Sequence, residues 1–207
     1  MQDAQTARWI GELAARASGN LANQVQWRRL IEADPEAWDA IRPSGKRVLI
    51  ATVTGGHAAI RAVEGTLAAA LTLRGAEVHA LLCDEVLPAC LECQQNAFPE
   101  AVTFATMGPQ NNLCVACYSP ALRAYTDLDV TVHTLGRLLS SEAREAATAE
   151  MRAVPLDRVP DFRRRDVGVG EHAMAGALRF FARGTLLDDP VHKAVLRRFL
   201  LAALLTQ

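Results

Sequence analysis

The sequence is short of aromatic residues, only 5% of 207 positions, and it carries no excess of either charge, with 22 Lys and Arg against 23 Asp and Glu for a net charge of −1. That balance removes the broad electrostatic basis for binding nucleic acid or an acidic membrane surface. The one basic run, Arg163 to Arg165, reads as a solvated loop. Also lacking is an apolar stretch long enough for a transmembrane helix or for the core of an export signal. The N-terminal "MQDAQTARWIGELAARASGN" is charged, alanine-rich and amphipathic instead. With no export signal, the five cysteines read as reduced thiols or metal ligands and not as a disulfide framework, and the expected compartment is the cytoplasm. Half the residues are apolar, enough for a sizeable core in one large domain or a domain plus a small module.

Periodicity divides the chain into an N-terminal helical segment, 1–45, and an α/β domain, 46–207. In the first, Trp9, Ile10, Leu13 and Ala14 share one helical face. After the Ser18-Gly19-Asn20 break, Val25, Leu30 and Ile31 share another. Asp34-Pro35 supplies a cap and an N1 proline for a further short helix. These helices are expected to cover a sheet. "RVLIATV" is continuously apolar and β-branched, as suits a parallel strand buried on both faces, and it ends in "TGGH". A helix over Ala58 to Arg74, stopped by Gly75, leads to a second strand, "EVHALLC". Strand, glycine turn, helix and strand make a βαβ unit, so the fold expected is a Rossmann-like parallel sheet flanked by helices. "DVTVHTL" continues as strand, Ser140 or Ser141 caps a helix to about Val154, and "DVGVG" leads into the helix "EHAMAGALRFFAR". Asp188-Asp189-Pro190 opens the last helix, whose apolar end "FLLAALL" calls for cover by its own domain, a partner domain or an oligomer.

Between the second and third strands lies an insert, 84–120, with two Cys-x-x-Cys pairs, Cys90/Cys93 and Cys114/Cys117. Two such pairs at this separation supply four thiolates for a closed tetrahedral site, so the expected cofactor is a structural Zn2+ that steadies a segment poor in core-forming residues. An iron–sulfur cluster and unliganded thiols are the alternatives. Cys83, closing the second strand, reads as a buried small hydrophobe.

Two loops are candidates for ligand contact. After the first strand, Gly55 and Gly56 permit close backbone approach, and the helix that follows aims its amide groups at an anionic or hydroxyl-rich ligand. His57 at the lip suits a general base or a hydrogen-bond donor. The plainer reading is a tight turn with an exposed cap. Asp84, after the second strand, lies at the same carboxyl edge, where it can take a sugar hydroxyl. "GVGEHA" offers a second helix start, with Gly170, Glu171 and His172, although a carboxylate in a first helical turn is favoured by the dipole without any function. No Walker lysine and no complete G-x-G-x-x-G follows the first strand.

"VLIATVTGGHAA", "LAAALTLRGAEVHALLCD" and "GALRFFARG" together resemble the N-terminal half of GT-B glycosyltransferases, particularly bacterial surface or capsular polysaccharide biosynthesis proteins, in which a similar "LCD...C..C" region interrupts the first Rossmann-like domain. The "GGH" turn is also similar to the glycine-rich loop of the peptidoglycan N-acetylglucosaminyltransferase. The resemblance implies a glycosyl acceptor held by Gly55 and Gly56, His57 as the base that activates it, and a nucleotide-sugar donor bound by a second domain beyond this chain. A non-catalytic, zinc-stabilised binding or scaffold module is the other functional class that the sequence allows.

Overall fold

The computed structural model describes residues 26–95 and 100–207; the expected helix around Trp9 to Ala14 lies outside them. Asp34 accepts the Ala37 amide at 3.1 Å and separates helix α1 (Trp27–Ala33) from α2 (Pro35–Asp39), as the cap-and-proline pair predicts. Strand β1 (Arg47–Val53), helix α3 (Ala58–Leu73) and strand β2 (Glu77–Leu82) follow as the expected βαβ unit. The third strand, β3 (Thr131–Thr134), lies beside β2, so the sheet is parallel with order β1-β2-β3.

Among the described residues, helices cover one face of this sheet. Ile50, Val78, Ala80 and Leu82 point into a core with Ala68 and Ala69 of α3, Ala121, Ala124 and Tyr125 of helix α5 (Gln110–Asp127), and Trp27. On the other face Leu49 is 55% exposed, and His133 is exposed. The expectation that "RVLIATV" is buried on both sides therefore holds for one side. Successive crossovers that step the same way across a sheet leave their helices on one face, whatever the apolar content of the strand.

The insert also differs from expectation. Residues 101–107 form helix α4 (Ala101–Met107), whose Phe104 is fully buried and stacks on Phe180 with centroids 4.5 Å apart. Burial anchors this part of the chain. The described residues group into two compact units: the part up to Asp84 with Asn112–Leu138, which holds the sheet, and Glu85–Asn111 with Leu139–Gln207. The second unit is helical, with α6 (Leu135–Leu138) closing the first unit and α7 (Ser141–Ala153), a 3-10 turn (Leu156–Asp161), α8 (Val169–Phe181) and α9 (Pro190–Leu205) following. Ser140 and Asp189 cap α7 and α9 as expected. Leu204 and Leu205 are buried, and α9 packs on α4, α7 and α8 of its own unit, so the apolar end of the last helix is accounted for without a partner. No helix among the described residues is long and apolar enough to cross a membrane.

Gly75 stops α3 with φ +78°, and a Cβ there would stand 1.9 Å from the Arg42 carbonyl oxygen. Its own carbonyl accepts the Ser44 amide at 2.7 Å, tying the turn to the entry of β1. Gly75→Ala should destabilise the fold by roughly 2 kcal/mol or more, the sum of left-handed strain and backbone clash. Urea unfolding followed by circular dichroism will register it as a lower midpoint at unchanged slope.

Candidate functional site at the carboxyl edge of the sheet

The loop after β1 is aimed by an irregularity in the strand. The β1–β2 register moves from Ile50↔Ala80 to Val53↔Leu82, three residues against two, so β1 carries one extra residue, a bulge. Val53 then takes φ +68°, a left-handed conformation that β-branched residues rarely adopt. Strain of this kind, worth about 1–3 kcal/mol, persists where the surroundings over-determine the backbone, and it collects at ligand sites. Here the Val53 carbonyl accepts the Cys83 amide at 2.8 Å and so keeps its place in the sheet despite the bulge.

Downstream of the bulge, Gly55 is buried against α5. A Cβ at Gly55 would lie 2.3 Å from the Ala121 Cβ and 2.7 Å from the Cys117 carbonyl oxygen, so the missing side chain is used by a helix and not by a ligand. Gly56 is half-buried beside it. His57 is exposed and caps α3: its Nδ1 accepts the Ile60 amide at 3.4 Å. An Nδ1 engaged as acceptor puts the ring proton of the neutral imidazole on Nε2, so toward solvent His57 is a donor. Action as a base would require Nδ1 to give up the cap, which is worth about 1 kcal/mol.

At the end of β2, Asp84 Oδ1 accepts the Gly136 amide at 2.7 Å and straps β2 to the turn after β3. Thr134, the last residue of β3, has a buried hydroxyl with no hydrogen-bond partner among the described residues. A buried hydroxyl in that state costs about 1–3 kcal/mol unless a ligand or water meets it. This residue was not singled out from the sequence, since a threonine in a strand has no signature.

Beneath the loop lies a polar cluster that the sequence also concealed. Arg61, 6% exposed, donates from Nη1 to the Gly55 carbonyl. Glu64 accepts from the Thr52 hydroxyl and, at 2.9 Å, from the Tyr125 hydroxyl. Burial raises the Glu64 carboxyl above its ordinary value, with the Tyr125 hydrogen bond opposing it, and burial together with Glu64 raises Tyr125. Arg61 at four residues after His57 and Glu64 three further on sit on the same side of α3, the single hint that helical spacing offered.

The other loop belongs to the second unit. Gly170 is packed so closely that a Cβ would lie 1.6 Å from the Val159 carbonyl oxygen, and its amide donates to the Phe162 carbonyl at 2.9 Å. The start of α8 is thereby engaged by its own chain, with Glu171 and His172 exposed beside it.

The cysteine pairs are divided between the units, Cys90 and Cys93 in the second and Cys114 and Cys117 one turn apart on α5 in the first. Cys90 and Cys93 Sγ atoms are 3.7 Å apart. Two thiolates bound tetrahedrally to zinc at about 2.3 Å stand about 3.8 Å apart, so this pair already has the span of one edge of such a site. The Cys93 amide donates to the Cys90 carbonyl at 3.1 Å, and Arg179 fixes the turn by donating to the Cys90 and Leu91 carbonyls. The hydrogen bond with Cys93, against the opposing effect of burial, holds the Cys90 thiol below its usual range. Among the described residues no three His, Cys, Asp or Glu side chains stand close enough to hold one ion.

Comparison with protein-family models, with curated proteins and with solved structures finds no significant match.

Because the folded-state value of Glu64 lies above its ordinary 4.5, its contribution to stability is full below that value and is lost as pH rises through the raised one. Glu64→Gln, which retains an acceptor for Tyr125, should flatten the decline in unfolding free energy as pH rises from 4.5 through the raised value. A urea-melt series across that interval measures the slope; equal slopes in both proteins would contradict the assignment.

Proposed function

We propose that the carboxyl edge of the three-stranded sheet binds a glycosyl acceptor, and that this chain is the acceptor-side half of a GT-B-like system acting as a binding module. The observation that carries the reading is the buried Thr134 hydroxyl, without a partner among the described residues, at the end of β3 on the same sheet edge as the His57 loop. Ligands of open α/β sheets lie outside the carboxyl ends of the strands. Each hydroxyl of a sugar both donates and accepts, so, where the edge opens to admit the ring, one hydroxyl can satisfy Thr134 and another accept a hydrogen bond from His57 Nε2. In this role Asp84 shapes the edge through its strap to Gly136, and Gly55 sets the approach of α5.

A second reading keeps His57 as general base in sugar transfer, with a nucleotide-sugar donor held by another domain. The sheet order favours it, because β1-β2-β3 with helices on one face is half of a doubly wound sheet. The Nδ1 cap favours the binding role.

The four cysteines enter the proposal as ligands of one structural zinc, with the ligand count taken from their spacing and the fit from the Cys90–Cys93 separation. When bound, the metal adds folding energy and no open coordination position.

Glycan-array binding followed by calorimetry on the best ligand tests the sheet-edge site. Thr134→Val and His57→Asn, the latter retaining a capping side chain, should each weaken binding about five- to tenfold, the worth of one hydrogen bond of about 1 kcal/mol. An array with no bound glycan, or affinities unmoved by both variants, rejects the reading. For the metal, elemental analysis after zinc-supplemented expression should give one zinc per chain, lowered in Cys93→Ser and retained in Cys83→Ser. An iron–sulfur absorption band or zinc-free protein would count against it.

A further inference from the structure

His79 on β2 and His133 on β3 sit on the sheet face opposite the helices, two residues out of step along adjacent parallel strands, since Leu81 pairs with His133 and His79 with Thr131. The offset brings their rings end to end, with His79 Nδ1 and His133 Nε2 3.1 Å apart and ring centroids separated by 5.2 Å. On the far side of the first ring, His79 Nε2 is 3.2 Å from Glu77 Oε1.

With both rings neutral, the Glu77 carboxylate accepts a hydrogen bond from His79 Nε2–H, which leaves the His79 Nδ1 lone pair to accept from His133 Nε2–H. Carboxylate, then imidazole, then a bare ring nitrogen is the arrangement by which proteins orient a metal-binding histidine. The distance also suits an ion. Metal–nitrogen bonds of about 2.0–2.1 Å place two nitrogens about 3.0 Å apart at a right angle and about 3.4 Å apart at the tetrahedral angle, and 3.1 Å lies between.

We propose that His79 and His133 form a binding site for a divalent transition cation of the kind imidazole prefers, such as Ni2+, Cu2+ or Zn2+, with Glu77 as its positioning residue. The ion takes His79 Nδ1 and His133 Nε2. The proton between them moves to His133 Nδ1, so insertion into the neutral pair releases no net proton. Water completes the coordination shell, because the two imidazoles are the ligands the strands supply and no third His, Cys, Asp or Glu among the described residues joins them. His133 is exposed and His79 half-buried, so the ion reaches the pair from solvent across the open face. The site shares no residue with the cysteine pairs or with the carboxyl-edge loop. It also explains why two imidazoles face each other on a sheet surface where either alone would be better hydrated.

The test uses Ni2+ on the whole chain after any metal held by the cysteines has been quantified and left in place. In long-range nitrogen–proton spectra of the five histidines, substoichiometric Ni2+ should broaden the rings of His79 and His133 first. The melting temperature of the protein should rise with Ni2+, and the rise should vanish in His133→Gln and in His79→Gln. Glu77→Gln should keep the metal-free melting temperature and weaken Ni2+ binding about ten- to a hundredfold, the usual effect of removing an outer partner of a ligating histidine. Broadening confined to His57, His172 or His192, or a Ni2+-dependent rise that survives in both histidine variants, overturns the assignment. Should a variant fail to fold, broadening of the two rings in the unaltered chain still decides.

Discussion

Four alanines set the geometry of the sheet unit. Ala68 and Ala69 on α3 and Ala121 and Ala124 on α5 are buried against Ile50, Val78, Ala80 and Leu82, and their small size lets both helices approach one face of the sheet closely. Gly65 extends the same principle outward, since a Cβ there would overlap the Trp27 ring at 2.3 Å. The contact between Gly55 and Ala121 belongs to this packing. A larger residue at either position would push α5 away and move the loop that carries His57. The position of the candidate site thus follows from how closely α5 sits.

The polar groups are arranged around that packing. Arg61 holds the Gly55 carbonyl from below, Asp84 holds the Gly136 amide from the next strand, and His57 holds the Ile60 amide with the nitrogen a base would need. Each of these side chains is engaged in keeping the edge in shape. Thr134 is different: its hydroxyl is buried and supports nothing among the described residues, which is why it weighs more than the better-known residue types near it.

In the second unit the packing is aromatic. Phe104, Phe180, Phe181 and Phe199 stack and meet edge to face around α8 and α9, drawing on a chain with few aromatics. Phe104 comes from the segment that composition marked as too poor to hold itself, and the Gln95 amide donates to the Phe180 carbonyl at 2.8 Å. The Cys90–Cys93 turn is therefore held by protein groups whether or not metal adds to them.

Local rules were legible in the residue order. The caps Asp34, Ser140 and Asp189, the Gly75 stop and the βαβ alternation depend on groups a few residues apart, and each is present where the pattern places it. The carboxyl-edge position of His57, Gly56 and Asp84 was legible for the same reason, because a parallel strand delivers its following loop to one edge. What tertiary structure decided is everything that depends on neighbours distant in sequence. An apolar run does not say which of its faces will meet helices, a glycine pair does not say whether backbone or ligand fills the space it opens, and a histidine in a strand does not name its partner 54 residues away. Those outcomes follow from the direction of the crossovers, the closeness of α5 and the β2–β3 register, and none of the three is written in any short stretch of the chain.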